Sequence, residues 1–245
     1  MVLTLNSVHR THMKQLTVLL LLLISSLAHA QLTNESEAGV ASANGNTKTQ
    51  TYTVKQINDY KWDKNVLSFK SRYLNAKANG VETARYLMGG LRYEKQFSDH
   101  FGLFLGETFE KDKFAGIDKR LITDFGGKYR FIETEMTKFF SEIGYRYMHE
   151  ERLDDSTAFS NYGRVYTEWE HKWNLNFSTK YWAEYLPNIS DNKDWQFNSE
   201  LSASAVLNSV FSMKSGLLLR YDHSPAPGIL YKTDTLFTTA LVAKF

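Results

Sequence analysis

Glu142, Glu168 and Glu170 fall on neighbouring alternating segments, and carboxylates that face one another are what general acid–base chemistry uses. Arginines stand beside them: Arg146 and Arg164 have the same parity on those two segments, so salt bridging is the expected role. Outside the first thirty residues the histidines are His100, His149, His171 and His223, each on a different segment or turn, and no HExxH or other metal-ligand spacing occurs. A lipid hydrolase would need a serine and a histidine together on one outward face near a rim. His149 shares the parity of Tyr145 and Tyr147, but the nearest candidate, Ser160, shares that of Tyr162 and Arg164 and is expected to face inward. No catalytic, cofactor-binding or metal-binding residue is therefore assigned, and the chain is not read as an enzyme.

What positions these charges is a period of two. Leu121, Thr123, Phe125, Gly127, Tyr129 and Phe131 alternate with Ile122, Asp124, Gly126, Lys128 and Arg130, so an extended chain has one apolar face and one charged face. The pattern recurs about a dozen times, with aromatics at 14% and no apolar run beyond residue 30 long enough for a membrane helix. Segments are expected at 36–43, 47–60, 66–77, 83–96, 101–112, 119–131, 137–149, 159–172, 174–186, 194–207, 209–223 and 233–245. The fold class is all-β, an antiparallel up-and-down transmembrane β-barrel of about 12 strands with apolar side chains outward. In this register the lumen receives Arg92, Glu94, Glu110, Asp124, Lys128, Arg130, Glu142, Arg146, Arg164, Glu168, Glu170, Lys180, Glu184, Glu200 and Lys214. Near-balanced signs favour cross-lumen pairing over a selectivity ring, with room for a narrow pore. Asp124→Arg is expected to be tolerated for folding and to shift any pore toward anions, whereas Phe125→Arg is not.

The connections sort into two sets. Short periplasmic turns are expected at 61–65, 97–100, 132–136, 172–174 and 208, and longer outer loops at 78–82, 113–118, 150–158, 187–193 and 224–232, with Asn44-Gly45-Asn46 as a tight outer hairpin. Pro187, Pro225 and Pro227 all fall in the expected outer loops, as a hydrogen-bonded closed sheet requires. Tyr60, Trp62, Phe97, Phe101, Phe131, Phe139, Trp169 and Trp173 bracket the short turns like an interfacial girdle. A soluble β-sandwich would also alternate, but does not need such girdles.

The ends indicate export. Arg10 and Lys14, then the apolar stretch 16–27, then Ala28-His29-Ala30 read as a cleavable signal peptide over 1–30, cut after Ala30. A flexible lead-in over 31–36 and a barrel domain over 37–245 follow. Without the signal's two basic residues, 29 − 2 = 27 basic groups face 27 acidic ones, so no basic stripe for nucleic acid is present. With no cysteine there is neither a lipid-anchoring site nor a disulfide framework. Phe245 ends an alternating stretch through Phe237, Leu241 and Ala243 and is expected to act as an assembly signal. The expected partners are outer-membrane lipids, the barrel-assembly machinery and periplasmic chaperones. The expected location is the bacterial outer membrane.

An ordered series of short motifs resembles one family. It comprises Glu37-Ala38-Gly39, Asn44-Gly45-Asn46-Thr47, Leu91-Arg92-Tyr93-Glu94, Glu110-Lys111-Asp112-Lys113-Phe114 before Arg120, Gly126-Gly127-Lys128-Tyr129, Glu142-Ile143-Gly144 and Asp234-Thr235. On these the chain is similar to the family of unknown function number 481, whose members are labelled YdiY-like or salt-induced outer membrane proteins. The resemblance implies an outer-membrane location and a β-rich exported domain, and transfers no functional residue. A small porin-like channel or an envelope-structural protein is the expected role. A lipid-modifying enzyme and a loop-mediated binding or adhesion protein are the alternatives.

Overall fold

The computed structural model describes residues 31–43, 49–226 and 228–244; the expected signal segment with Ala30, the Asn44-Gly45-Asn46 turn, Pro227 and Phe245 lie outside them. Twelve antiparallel strands close into one barrel: β1 (Gln31–Ala43), β2 (Thr49–Trp62), β3 (Asn65–Ala78), β4 (Val81–Gln96), β5 (Phe101–Asp112), β6 (Ile117–Glu133), β7 (Thr137–Arg152), β8 (Thr157–Lys172), β9 (Phe177–Pro187), β10 (Trp195–Val206), β11 (Phe211–Asp222) and β12 (Thr233–Lys244). Each strand pairs with its sequence neighbours, and β1 closes the ring on β12 through Glu35–Lys244 to Ala38–Leu241. Strands of 11 to 17 residues meet or exceed the roughly 9–11 that a tilted strand needs to cross a bilayer.

Polarity is inverted relative to a water-soluble fold. Leu91, Leu105, Phe125, Ile143, Val165, Leu201, Leu217 and Phe237 point away from the barrel and remain 47–72% exposed, while Glu142 and Arg164 inside it are buried. Aromatic contacts band both ends. At the short-turn end, ring centroids lie 5.3 Å apart for Tyr60–Trp62, 6.2 Å for Trp62–Tyr93, 5.0 Å for Tyr129–Phe131 and 4.9 Å for Phe131–Phe139. At the other end Trp195 lies 5.9 Å from Tyr185 and 4.6 Å from Tyr221. Outward polar side chains are satisfied by their neighbours: Gln56 amide donates to Asn34 (2.7 Å) and Asn58 (3.0 Å), and Thr123 hydroxyl to Glu107 (2.6 Å). On an apolar exterior each would otherwise carry the full cost of an unmet hydrogen bond.

Four expectations need correcting. Residues 31–36 are not a flexible lead-in: they form the start of β1, paired with β2 from Gln31–Lys61 to Ser36–Gln56. Their polar composition reads as disorder, yet backbone pairing with a long neighbour needs no apolar side chains. Strand β9 begins at Phe177 rather than 174, because the Asn174 side chain accepts the Asn176 N–H (2.8 Å) and Trp173 N–H bonds to Phe177 C=O (3.0 Å), which turns the chain. Leu175 therefore sits at a turn tip, 93% exposed. Pro187 closes β9 opposite Trp195 instead of lying in the loop, a strand end where its missing N–H costs nothing. Finally, the outer connection expected over 78–82 is only Asn79-Gly80, and that over 150–158 shrinks to 153–156. Asn79 and Gly80 have φ of 49° and 80°, the left-handed pair that a two-residue hairpin requires.

Candidate functional site

A cavity of about 1630 Å³ runs inside the barrel, lined from Asn174 and Leu175 at the short-turn end to Ala226 and Leu230 at the other. All fifteen residues expected to face the lumen line it. On the β4–β8 wall they lie in sheared rows set by strand register. One row is Glu94, Phe104, Gly126, Gly144, Arg164 and the next is Arg92, Gly106, Asp124, Arg146. A Cβ on Gly126 would stand 2.4 Å from the Ile143 carbonyl and 2.9 Å from the Phe104 ring, so only glycine lets that ring lie on the wall. Arg92 then stacks over Phe104 at 3.9 Å from the centroid, with Arg164 at 5.5 Å.

From there charges alternate in sign across five strands. Arg92 forks onto Glu142 (2.6 and 3.1 Å), and Glu142, 2% exposed, also accepts from Arg164 (2.7 Å). Arg164 Nε donates to Glu184 (2.7 Å), and Arg146 joins Glu184 (3.0 Å) to Asp124 (2.7 and 2.8 Å). Three guanidiniums and three carboxylates thus neutralise one another in a row, which offsets their desolvation. Asp124, where an arginine is expected from the sequence to be tolerated for folding, is instead the terminal carboxylate of this chain. Lys128 (3.0 Å) and Arg130 both reach Glu94, and Lys180 reaches Glu168 at 2.6 Å. Lys214 lies between Glu37 (3.2 Å) and Glu200 (3.4 Å), and Glu110 accepts from Arg120 (3.4 Å). Glu170 lines the lumen without an ion pair among the described residues. Beside this network the lumen face becomes apolar, where Ile122, Met148, Tyr162 and Leu186 pack together.

Other residues entered the site without having been singled out: Phe104, Lys55, Lys70, Arg72 and Tyr86. The strongest available signal was shared parity, Lys70 with Arg72 and Lys55 with Asp59, but on β2 both faces are polar and neither is marked as the lumen. At the long-loop end Arg220 of β11 reaches the opposite wall, 3.7 Å from Asp112 of β5 and 4.6 Å from the Tyr86 ring of β4. Tyr86 in turn donates to Glu110 at 2.9 Å. Above this crossing, the loop after β11 arches to the β5–β6 connection. A Cβ on Gly116 (φ +77°) would lie 3.3 Å from Ala226 and 3.6 Å from Ile229. In a ring of twelve, β5–β6 and β11–β12 are diametrically opposed, so the loop spans the mouth. Replacing residues 225–230 by a short turn is expected to raise single-channel conductance in a planar bilayer at unchanged barrel stability. An unchanged conductance would place the constriction deeper.

The four described histidines make ring and hydrogen-bond contacts with their neighbours. His149 stacks on Phe159 (4.6 Å, 6°), His171 accepts from or donates to Thr137 Oγ1 (2.8 Å), His223 meets Tyr221 Oη (2.9 Å), and His100 Nδ1 lies 2.9 Å from the Arg130 carbonyl. Ser160 faces the lumen. Among the described residues no three His, Cys, Asp or Glu side chains are grouped to hold a metal ion.

Among solved structures the chain is similar to the NanC porin (10% identity over 87% of this chain and 98% of that one, TM-score 0.49) and to the KdgM porin (8% identity, 88% and 98%, TM-score 0.47). It is also similar to the translocator domain of the autotransporter NalP from Neisseria meningitidis (8% identity, 89% and 88%, TM-score 0.44). No curated protein matches it. A family model does, over residues 36–245, the span that carries all of the barrel but the first five residues of β1 and every lumen charge described above: the chain belongs to the family described as "Protein of unknown function, DUF481".

Proposed function

We propose that the protein is a small porin-like channel of the bacterial outer membrane. The observation that carries this reading is a cavity running along a closed barrel whose lining is charged and whose exterior is apolar between two aromatic bands. Water and ions suit the inside, hydrocarbon the outside. In this reading residues 1–30 are removed after Ala30, and periplasmic chaperones deliver the chain to the assembly machinery. No catalytic step is assigned.

The large packed sector on β4–β9 supports a second reading, an envelope-structural barrel whose lumen is plugged by ion pairs. Purified, refolded protein in a planar bilayer separates the two. Discrete conductance steps of narrow-pore size are expected; a folded barrel that never conducts would favour the plug.

A further inference from the structure

The ion pairs are unevenly distributed around the barrel. Arginine, glutamate, phenylalanine and tyrosine side chains fill the β4–β9 side, whereas β10 and β11 place the short Ser202, Ser204 and Ser212 among Glu200, Lys214, Leu218 and Arg220. The more open side, a lane along the cavity wall, therefore runs from β10–β11 through β12 and β1 to β2 and β3. Strands β2 and β3 present four cations, Lys55, Lys61, Lys70 and Arg72, against one acid, Asp59, with Lys55 3.9 Å from Glu37 of β1. Lys70 is exposed to the cavity and makes no ion pair or hydrogen bond among the described residues. Arg72 has no carboxylate partner either: its guanidinium lies 5.9 Å from the Tyr86 ring, which Arg220 approaches at 4.6 Å. Asp59 is occupied by the Ser68 hydroxyl at 2.6 Å. Of the acids near the lane, Glu37 is held by Lys214 and Lys55, Glu200 by Lys214 and Glu168 by Lys180, while Asp222, Asp234 and Glu170 line the cavity away from β2 and β3 without an ion pair among the described residues.

We infer that this lane selects anionic solutes, small carboxylates among them, with Lys70 and Arg72 as the residues that attract them and the Arg72–Tyr86–Arg220 crossing as the filter. This rests on the channel reading above. Uncompensated cations facing a confined lumen raise the local anion concentration and lower the barrier for one sign of charge, while paired residues contribute little field of their own. The packed wall then serves as a neutral, rigid backing, and selectivity comes from the side of the barrel with fewer charges in total.

The test is the reversal potential of the refolded protein in a planar bilayer under a potassium chloride gradient, for wild type, the charge-reversed pair Lys70→Glu with Arg72→Glu, and the milder Lys70→Gln with Arg72→Gln. Heat-modifiable mobility on electrophoresis verifies that each barrel is folded. Wild type is expected to favour chloride over potassium severalfold, the glutamine pair to lose that preference, and the glutamate pair to invert it. Added citrate, a carboxylate probe, is expected to interrupt wild-type current and not that of the glutamate pair. A protein that conducts but prefers potassium, or neither ion, overturns the inference and leaves the channel reading standing. Chloride preference that survives in both variant pairs overturns the assignment to Lys70 and Arg72. Absence of any conductance overturns the channel and the inference together.

Discussion

Glu142→Ala is expected to destabilise the barrel by about 3 kcal/mol, the lower end of the range for removing one member of a buried ion pair. Among the described residues Glu142 is the only carboxylate shared by Arg92 and Arg164, at 2.6 and 2.7 Å. Removing it leaves two guanidiniums facing each other over the Phe104 ring, and they do not suffer equally. The Arg92 side chain is 25% exposed and can turn to water, whereas that of Arg164 is 6% exposed and keeps only Glu184 and the more distant Asp124. The orphaned Arg164 therefore sets the cost. Glu142→Gln retains an acceptor and should fall between the alanine variant and wild type. Replacing Glu142 and Arg164 together by leucine and methionine should recover much of the loss, because no lone charge remains. Equilibrium urea unfolding from lipid vesicles gives all three values. If Glu142→Ala lay within 0.5 kcal/mol or so of wild type, the scale of an ordinary surface change, the network would be wet and loose rather than a structural wall.

The alternation carried most of the architecture because a transmembrane strand must choose a face. Wherever one face is apolar, as with Leu121, Thr123, Phe125 and Tyr129 against Asp124, Lys128 and Arg130, a slip of one residue would put charges into hydrocarbon, and register is legible from the sequence alone. The first hairpin lacks that contrast. Asn34, Ser36, Gln56 and Asn58 make the outer face of β1 and β2 polar, and their mutual hydrogen bonds are visible only once the strands are side by side. That is why 31–36 reads as disorder and why Lys55 is not marked as a lumen residue. Two other features lie beyond parity. The apolar cluster of Ile122, Met148, Tyr162 and Leu186 occupies inward positions, which contradicts a uniformly polar lumen. The Gly126–Gly144 pair shows its purpose only when Phe104 is seen to rest on it. Facing and pairing are also different kinds of information: parity puts Asp124 and Arg146 inside, but cross-strand register makes them partners.

Phe125→Arg is expected to cost about 2 to 4 kcal/mol, the penalty for an arginine at the lipid-facing midplane of a barrel. Phe125 lies midway along β6, 52% exposed to the exterior, with its ring 5.3 Å from that of Tyr145 and apolar Leu105 beside it in register. An arginine there has no rim within easy reach and no carboxylate on its own face nearer than Glu107, which already accepts from Thr123. The adjacent substitution tests the opposite face by a different mechanism. Asp124→Arg replaces the carboxylate that Arg146 grips at 2.7 Å and sets a third guanidinium beside Arg146 and Arg164, so it too should destabilise, by loss of a pair and like-charge repulsion. Asp124→Asn, which removes charge without adding any, tells the two apart. In a water-filled lumen it should be much milder than Phe125→Arg, and its penalty should change with salt, whereas the lipid-side penalty should not. Unfolding from vesicles at low and high ionic strength measures both. A Phe125→Arg barrel as stable as wild type, or one whose loss vanished in salt, would mean that this face meets water or protein instead of lipid, and the membrane-spanning reading would fall with it.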